Sequence, residues 1–254
     1  MARLAGKRVI ITGGSTGIGA GVAERFLKEG ARVCVWCRNP DNAAKIKDQF
    51  PGLADVVAVD VADADAVDIA FARSLASLGG LDVLICNAGI SIRKDFVDID
   101  RADFDRTMKV NVHGVFYVSQ LAARHMLATE QGGAILITAS TSGVVAYRHY
   151  ADYNASKGAL LSLMRTMAVE LAPKIRVNAV NPGYTMTPMQ EAEYSPEMLK
   201  AVNGIIPMGR HARPEELASL YVYLASDEAA YASGAVFTLD GAESVSSGAA
   251  WLGG

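Results

Sequence analysis

The sequence predicts an α/β fold: a single doubly wound domain, with a parallel sheet of about seven strands and helices on both faces. Three observations lead there. Short apolar, β-branched runs alternate along the whole chain with longer stretches of helical periodicity. A glycine-rich turn joins the first such run to the first helical pattern. The composition, 51% hydrophobic and 20% charged over 254 residues, suits one large domain with a substantial core.

Taken in order, strands are expected at residues 7–12, 32–37, 55–59, 81–86, 134–139, 176–180 and 235–239, with helices between them. Long helical patterns lie at 101–127 and 152–171. The domain is expected over 1–243. Residues 244–254, rich in serine, alanine and glycine, read as a tail carrying Trp251 and Leu252. The first strand ends in Thr12-Gly13-Gly14-Ser15-Thr16-Gly17-Ile18-Gly19. Glycines between a strand and a helix let backbone N–H groups approach a diphosphate at the positive end of the helix dipole. This is the setting of a dinucleotide fingerprint; a glycine-rich turn without a ligand is the alternative.

Tyr153 and Lys157, in Tyr153-Asn154-Ala155-Ser156-Lys157, share one face of a helix. A free phenol titrates near pH ~10, and a close ammonium favours its ionised form. The pair suits a general acid/base, although the spacing also occurs by chance on amphipathic helices.

Five ordered motifs now stand together: Thr12-Gly13 through Gly19, Asn87-Ala88-Gly89, Ser140, Tyr153-x-x-x-Lys157, and Asn181-Pro182-Gly183. In this combination the chain resembles the single-domain short-chain dehydrogenase/reductase family over residues 6–241, which implies a Rossmann-type fold. The resemblance implies that Tyr153 is the catalytic acid/base. Lys157 would bind the nicotinamide ribose and lower the tyrosine pKa. Ser140 would orient the substrate carbonyl, and Asn111 would hold a water in a proton relay. For the cofactor it implies contacts from Gly13, Ser15, Thr16, Gly17, Ile18 and Gly19. Asp60 would bind the adenine beside Val61. Asn87, Ala88 and Gly89 would shape the cleft, followed by Pro182, Gly183, Thr185 and Thr187, the last on the carboxamide. Cys86 departs from the family's usual asparagine there, and the turn Ala172-Pro173-Lys174-Ile175 is one residue short.

Cofactor choice turns on the end of the second strand. An acidic residue there would bond a ribose 2′-hydroxyl. Trp36-Cys37-Arg38-Asn39 has none, and Arg38 can bind a 2′-phosphate through its planar fork, or simply stand solvated. Thr16 lacks the basic side chain of many NADP-using relatives. NADP(H) is favoured over NAD(H).

Other classes fall away. A net charge of -3 leaves no footprint for nucleic acid. The start lacks a signal-peptide core, and no apolar stretch is long enough to span a bilayer, so a cytoplasmic protein without a membrane partner is expected. Cys34 and Cys37 form a literal C-x-x-C, but on a strand they point to opposite faces, which argues against redox or metal use. The histidines have no ligand spacing, so no catalytic metal is expected.

The resemblance implies a small-molecule ketone or secondary alcohol as the substrate. Its pocket falls in residues 91–96, 143–152 and 184–207, with 191–206 a candidate lid. Arg93, Arg148 and His149 can bind a carboxylate, a phosphate or a polyol, or be surface charges. Tyr184 and Met189, with Tyr147 and Tyr150, suit an aromatic wall or ordinary core. Alternative activities are a 3-oxoacyl-ACP reductase, an NAD-dependent sugar-acid or polyol dehydrogenase, and a silent nucleotide sensor. For the carrier reading Arg124, Arg165 and Lys174 are the nearest basic residues. The resemblance also implies a homotetramer, or a homodimer. Trp251 and Leu252 lie beyond the usual end of the family match, and an apolar pair on a tail is either disordered or docked; docking on a neighbouring subunit is expected.

Overall fold

The computed structural model describes residues 2–129 and 131–246. Seven strands form one sheet: β1 (Arg8–Thr12), β2 (Arg32–Cys37), β3 (Asp55–Ala58), β4 (Val83–Cys86), β5 (Gly133–Thr138), β6 (Ile175–Pro182) and β7 (Val236–Leu239). Their order is β3-β2-β1-β4-β5-β6-β7, and every neighbouring pair is parallel. The helices are α1 (Gly17–Lys28), α2 (Pro40–Gln49), α3 (Ala64–Leu78), α4 (Arg101–Met108), α5 (Gly114–Ala128), α6 (Ala151–Leu171), α7 (Pro188–Glu193), α8 (Pro196–Ile205) and α9 (Pro214–Ala225).

Alternation along the strands builds two cores, because successive side chains leave a strand on opposite faces. On one face Ile10, Cys34, Leu84, Ile135 and Val177 pack against Phe71 of α3, Val118 and Met126 of α5, and Leu160 and Met164 of α6. On the other Val9, Ile11, Val35, Ile85 and Leu136 pack against Phe26 of α1, Ile46 of α2, and Leu217 and Tyr221 of α9. Cys34 and Cys37 lie in different cores, as strand geometry requires. The helix starts carry their own signals. Asn39, Asp63, Asp100, Thr187 and Ser195 each accept a backbone N–H at a first turn.

Three boundaries differ from expectation. The sixth strand runs on to Pro182, carrying its pairing with β7 to the edge of the cleft. The expected helix over 101–127 is interrupted by a π-helical turn at Lys109–His113. Residues 191–206 are not one connection but the end of α7 and the whole of α8. The tail assignment at Trp251 and Leu252 lies outside the described residues.

No helix among the described residues is long and apolar enough to cross a membrane.

Candidate active site

The chain switches direction between β1 and β4, where β2 and β3 have been laid to one side and β5 to β7 follow on the other. In open α/β sheets ligands bind at such a point, outside the carboxyl ends of the strands. Thr12 ties the two ends together. Its Oγ1 accepts from the N–H groups of Asn87 (3.0 Å) and Ala88 (3.1 Å). Asn87 Nδ2 in turn donates to the Gly13 carbonyl (3.0 Å). The glycines are sterically required here. Gly13 has a left-handed φ of 63°, and a Cβ on it would lie 2.8 Å from Ala88 Cα. A Cβ on Gly19 would lie 2.2 Å from the Gly13 carbonyl oxygen.

This turn opens into a cleft of ≈ 890 Å³ lined by Gly13, Thr16, Gly17, Ile18, Asn87, Ala88, Gly89, Ser140, Tyr153, Lys157, Pro182, Gly183, Thr185 and Thr187. A second chamber continues it past Ser15, Trp36, Arg38, Asp60, Val61 and Val110. Together they bring in every expected cofactor residue except Gly19, which supports the turn from behind. A dinucleotide fits this course: bare backbone at the glycine turn for the diphosphate, and apolar Val61 and Val110 at the far end for a base. Arg38 is exposed at its mouth and makes no ion pair among the described residues.

Where the cleft turns inward, Ser140, Tyr153 and Lys157 converge. Ser140 follows β5 in extended conformation, and its Oγ accepts from the Ser142 N–H (3.1 Å). That bond leaves the hydroxyl proton to be donated into the cavity. Tyr153 and Lys157 stand one turn apart on α6, with Lys157 Nζ 5.4 Å from the tyrosine ring centroid. Lys157 is only 3% exposed, and its amine donates to the Thr138 carbonyl (2.9 Å). Burial draws the Lys157 pKa down to about 8. Burial also pushes the Tyr153 phenol up to about 12; the Ser140 hydroxyl works against this and the Glu193 charge adds to it. The lowering expected from Lys157 is therefore not what dominates at Tyr153: in this arrangement the ammonium is turned to Thr138.

Asn111 is fully buried in the π-helical turn. Its amide donates to the Ile90 carbonyl (2.9 Å) and Ser156 Oγ (3.0 Å), and its Oδ1 accepts from the Ile90 N–H (2.8 Å). Both amide protons are spent on fastening the loop after β4 to α6.

Beyond Tyr153 lies a smaller cavity of ≈ 530 Å³. Tyr184 and Met189 line it, as do Tyr147, Tyr150, Tyr194, Ser91, Ser142, Gln190 and Glu193. Glu193 bonds Ser91 Oγ through one carboxylate oxygen and accepts from the Tyr150 hydroxyl (2.8 Å) through the other. Behind the wall Tyr147 donates to Glu243 (2.5 Å), whose carboxyl is raised by burial. Arg93, Arg148 and His149 are not brought into this cavity. Arg93 and Arg148 are exposed, and His149, with a left-handed φ of 70°, pairs with Asp95 (2.5 Å). Sequence reasoning missed Glu193, Ser91 and Tyr194. They fall within the segments expected to form the pocket, but only the folded path of α7 shows which side chains turn inward. Among the described residues no group of His, Cys, Asp or Glu is arranged to hold a metal.

A family profile described as Enoyl-(Acyl carrier protein) reductase matches residues 13–242. Glucose 1-dehydrogenase of Gluconobacter oxydans is 38% identical, over 94% of this chain and 92% of that protein. A short-chain type dehydrogenase/reductase from Mycobacterium marinum superimposes with a TM-score of 0.90 at 39% identity, covering 95% of this chain and 97% of that one. A 3-ketoacyl-(acyl-carrier-protein) reductase from Brucella melitensis, solved with NADH, gives a TM-score of 0.90 at 35% identity over 95% and 99%. With the seven-stranded parallel sheet and the glycine turn at its switch point, these matches identify the chain as a member of the short-chain dehydrogenase/reductase family, NAD(P)-dependent oxidoreductases acting on CH–OH groups.

Proposed function

We propose that this chain interconverts a small-molecule ketone and a secondary alcohol, with NADP(H) favoured over NAD(H), through a Ser140-Tyr153-Lys157 site. The observation that carries the reading is the convergence of these side chains where the long cleft meets the tyrosine-lined cavity. When bound, the nicotinamide supplies or accepts the hydride at the substrate carbon.

In reduction the Tyr153 hydroxyl donates its proton to the substrate oxygen while Ser140 hydrogen-bonds that same oxygen. In oxidation the tyrosinate takes the hydroxyl proton. The Lys157 charge stabilises the negative charge shared between phenol and substrate oxygen. A phenol raised to about 12 is held protonated at neutral pH, as its donor role in reduction requires. A relay through Asn111 would use its backbone carbonyl or the spare lone pair of Oδ1, since its amide protons are taken.

Arg38 supports the NADP(H) preference as a guanidinium at the cleft mouth with no ion pair among the described residues; the NADH in the Brucella relative is the counter-example that makes the question experimental. Turnover should be measured with NADPH and NADH against free ketones and an acetoacetyl thioester. Preference for NADPH, lost by about tenfold in Arg38→Ala, is expected. An equal preference in wild type, or one unmoved by the substitution, would remove Arg38 as selector.

The relatives that act on carrier-bound acyl groups support a second reading, a 3-oxoacyl-ACP reductase. Turnover confined to the thioester would favour it. Against it, Lys174 leads into the amino end of β6, and Arg124 lies near the end of α5 that runs back to that same edge, away from the cleft.

We further propose that the protein is a cytoplasmic homotetramer, or a homodimer. Exposed Phe104 of α4, Phe116 of α5 and Val169 of α6, the last 81% exposed, support contact through these helices.

A further inference from the structure

The inner cavity carries a feature that hydride transfer itself does not use. Beside Met189 and Gln190, its wall carries hydroxyl-bearing side chains, among them Tyr147, Tyr150, Tyr184, Tyr194 and Ser91, and one carboxylate, Glu193. No arginine, lysine or histidine lines it among the described residues. Glu193, at the last position of α7, is held by Ser91 from the loop after β4 and by Tyr150 at the start of α6. With its own proton on Glu193, the Tyr150 oxygen accepts from the Tyr194 hydroxyl (3.1 Å), and its ring packs edge-on against Tyr153, with centroids 6.3 Å apart. Each carboxylate oxygen has two lone pairs and has spent one, so each can accept again from a donor inside the cavity. The tyrosines offer edges and faces to C–H groups and hydroxyls that both donate and accept.

We propose that Glu193 is the specificity-determining residue of this cavity, accepting a hydrogen bond from a hydroxyl of a neutral, polyhydroxylated substrate and excluding substrates that carry a carboxylate or phosphate at that position. The inference rests on the ketone–alcohol reading above and names its substrate class. An anion entering here meets a like charge held in place on two sides, with no cation of the wall to offset it. An ammonium at that position would meet an opposite charge instead, so its response to loss of the Glu193 charge should run in the opposite direction to that of a carboxylate.

The test is a series that differs at one carbon only: D-sorbitol, D-gluconate and D-glucamine, which present a hydroxymethyl, a carboxylate and an aminomethyl group. Initial rates of NADP- and NAD-linked oxidation are measured for wild type, Glu193→Gln and Glu193→Asp. Like charges at close range in a partly screened cavity lower affinity by about tenfold, so wild type should take sorbitol over gluconate by at least that in kcat/KM. The change should sit mainly in KM. Glu193→Gln should narrow the ratio by about fivefold or more, and Glu193→Asp, which keeps the charge, should restore most of it. Gluconate used as well as sorbitol would overturn the proposal, as would a sorbitol-to-gluconate ratio unmoved by Glu193→Gln. Tyr153-dependent reduction of an apolar ketone with every polyol silent would overturn it while leaving the reaction class standing. No Tyr153-dependent turnover of any compound would take down both.

Discussion

The Lys157 ammonium is buried against a backbone carbonyl, and burial lowers its pKa from 10.5 to about 8. The sign of the resulting pH dependence follows directly. Between those values the unfolded chain keeps a proton that the folded chain has lost, so stability rises with pH across the window. Below it the charged amine costs the fold up to about 3 kcal/mol. The Lys157→Met variant is therefore expected to gain on wild type near pH ~7, less the loss of one hydrogen bond, and to lose that gain towards pH ~10. Urea unfolding at the two pH values checks this; a gap that does not narrow would show that burial of this amine is not a cost. A site that keeps an expensive cation in place has a use for it. Tyr153 and Lys157 were singled out by their spacing only in company with the glycine turn and the other ordered motifs. The direction of the Tyr153 shift was not legible, because it depends on how deeply α6 is buried and on Glu193, 40 positions on in the numbering of the chain.

At the scale of elements, the glycine turn and the π-helical turn do different work. The first was readable because left-handed φ and close backbone approach at Gly13 leave only glycine as a solution. The second was hidden inside a pattern that reads as one helix over 101–127, since a π turn adds a residue without changing composition. Its consequence is Asn111, whose three hydrogen bonds join the loop after β4 to α6. Asn111→Leu keeps the branched outline but strands the Ile90 N–H and carbonyl. The expected cost is about 2–4 kcal/mol, with a loss of turnover from displacement of α6 against the cleft. Chemical unfolding together with kcat checks this, and a variant as stable as wild type would mean that the loop is held by other contacts. The pocket residues were legible only as segments. Arg93, Arg148 and His149 carry the chemistry a sequence reader looks for, yet His149 is turned to Asp95 by its left-handed backbone. The acid that does line the cavity, Glu193, looks in sequence like any polar residue at a helix end.

For the molecule as a whole, strand order decides where chemistry can happen. Alternation of strand and helix was enough to foresee a doubly wound sheet, because parallel strands need crossovers and these have helical periods. The order β3-β2-β1-β4-β5-β6-β7 then places the ends of β1, β4, β5 and β6 side by side, and the motif residues beyond those ends share one cleft. Substrate identity was not readable at this scale, since it depends on a cavity assembled from loops far apart in sequence. The central claim is that Tyr153 moves the proton at the substrate oxygen while the cleft holds the cofactor independently of it. The most direct measurement pairs kcat with cofactor affinity, read by nicotinamide fluorescence, in Tyr153→Phe. Turnover should fall by about a thousandfold or more while the cofactor Kd stays within about threefold of wild type. Turnover within about tenfold of wild type would contradict the account, because a phenyl ring in that position has no proton to give.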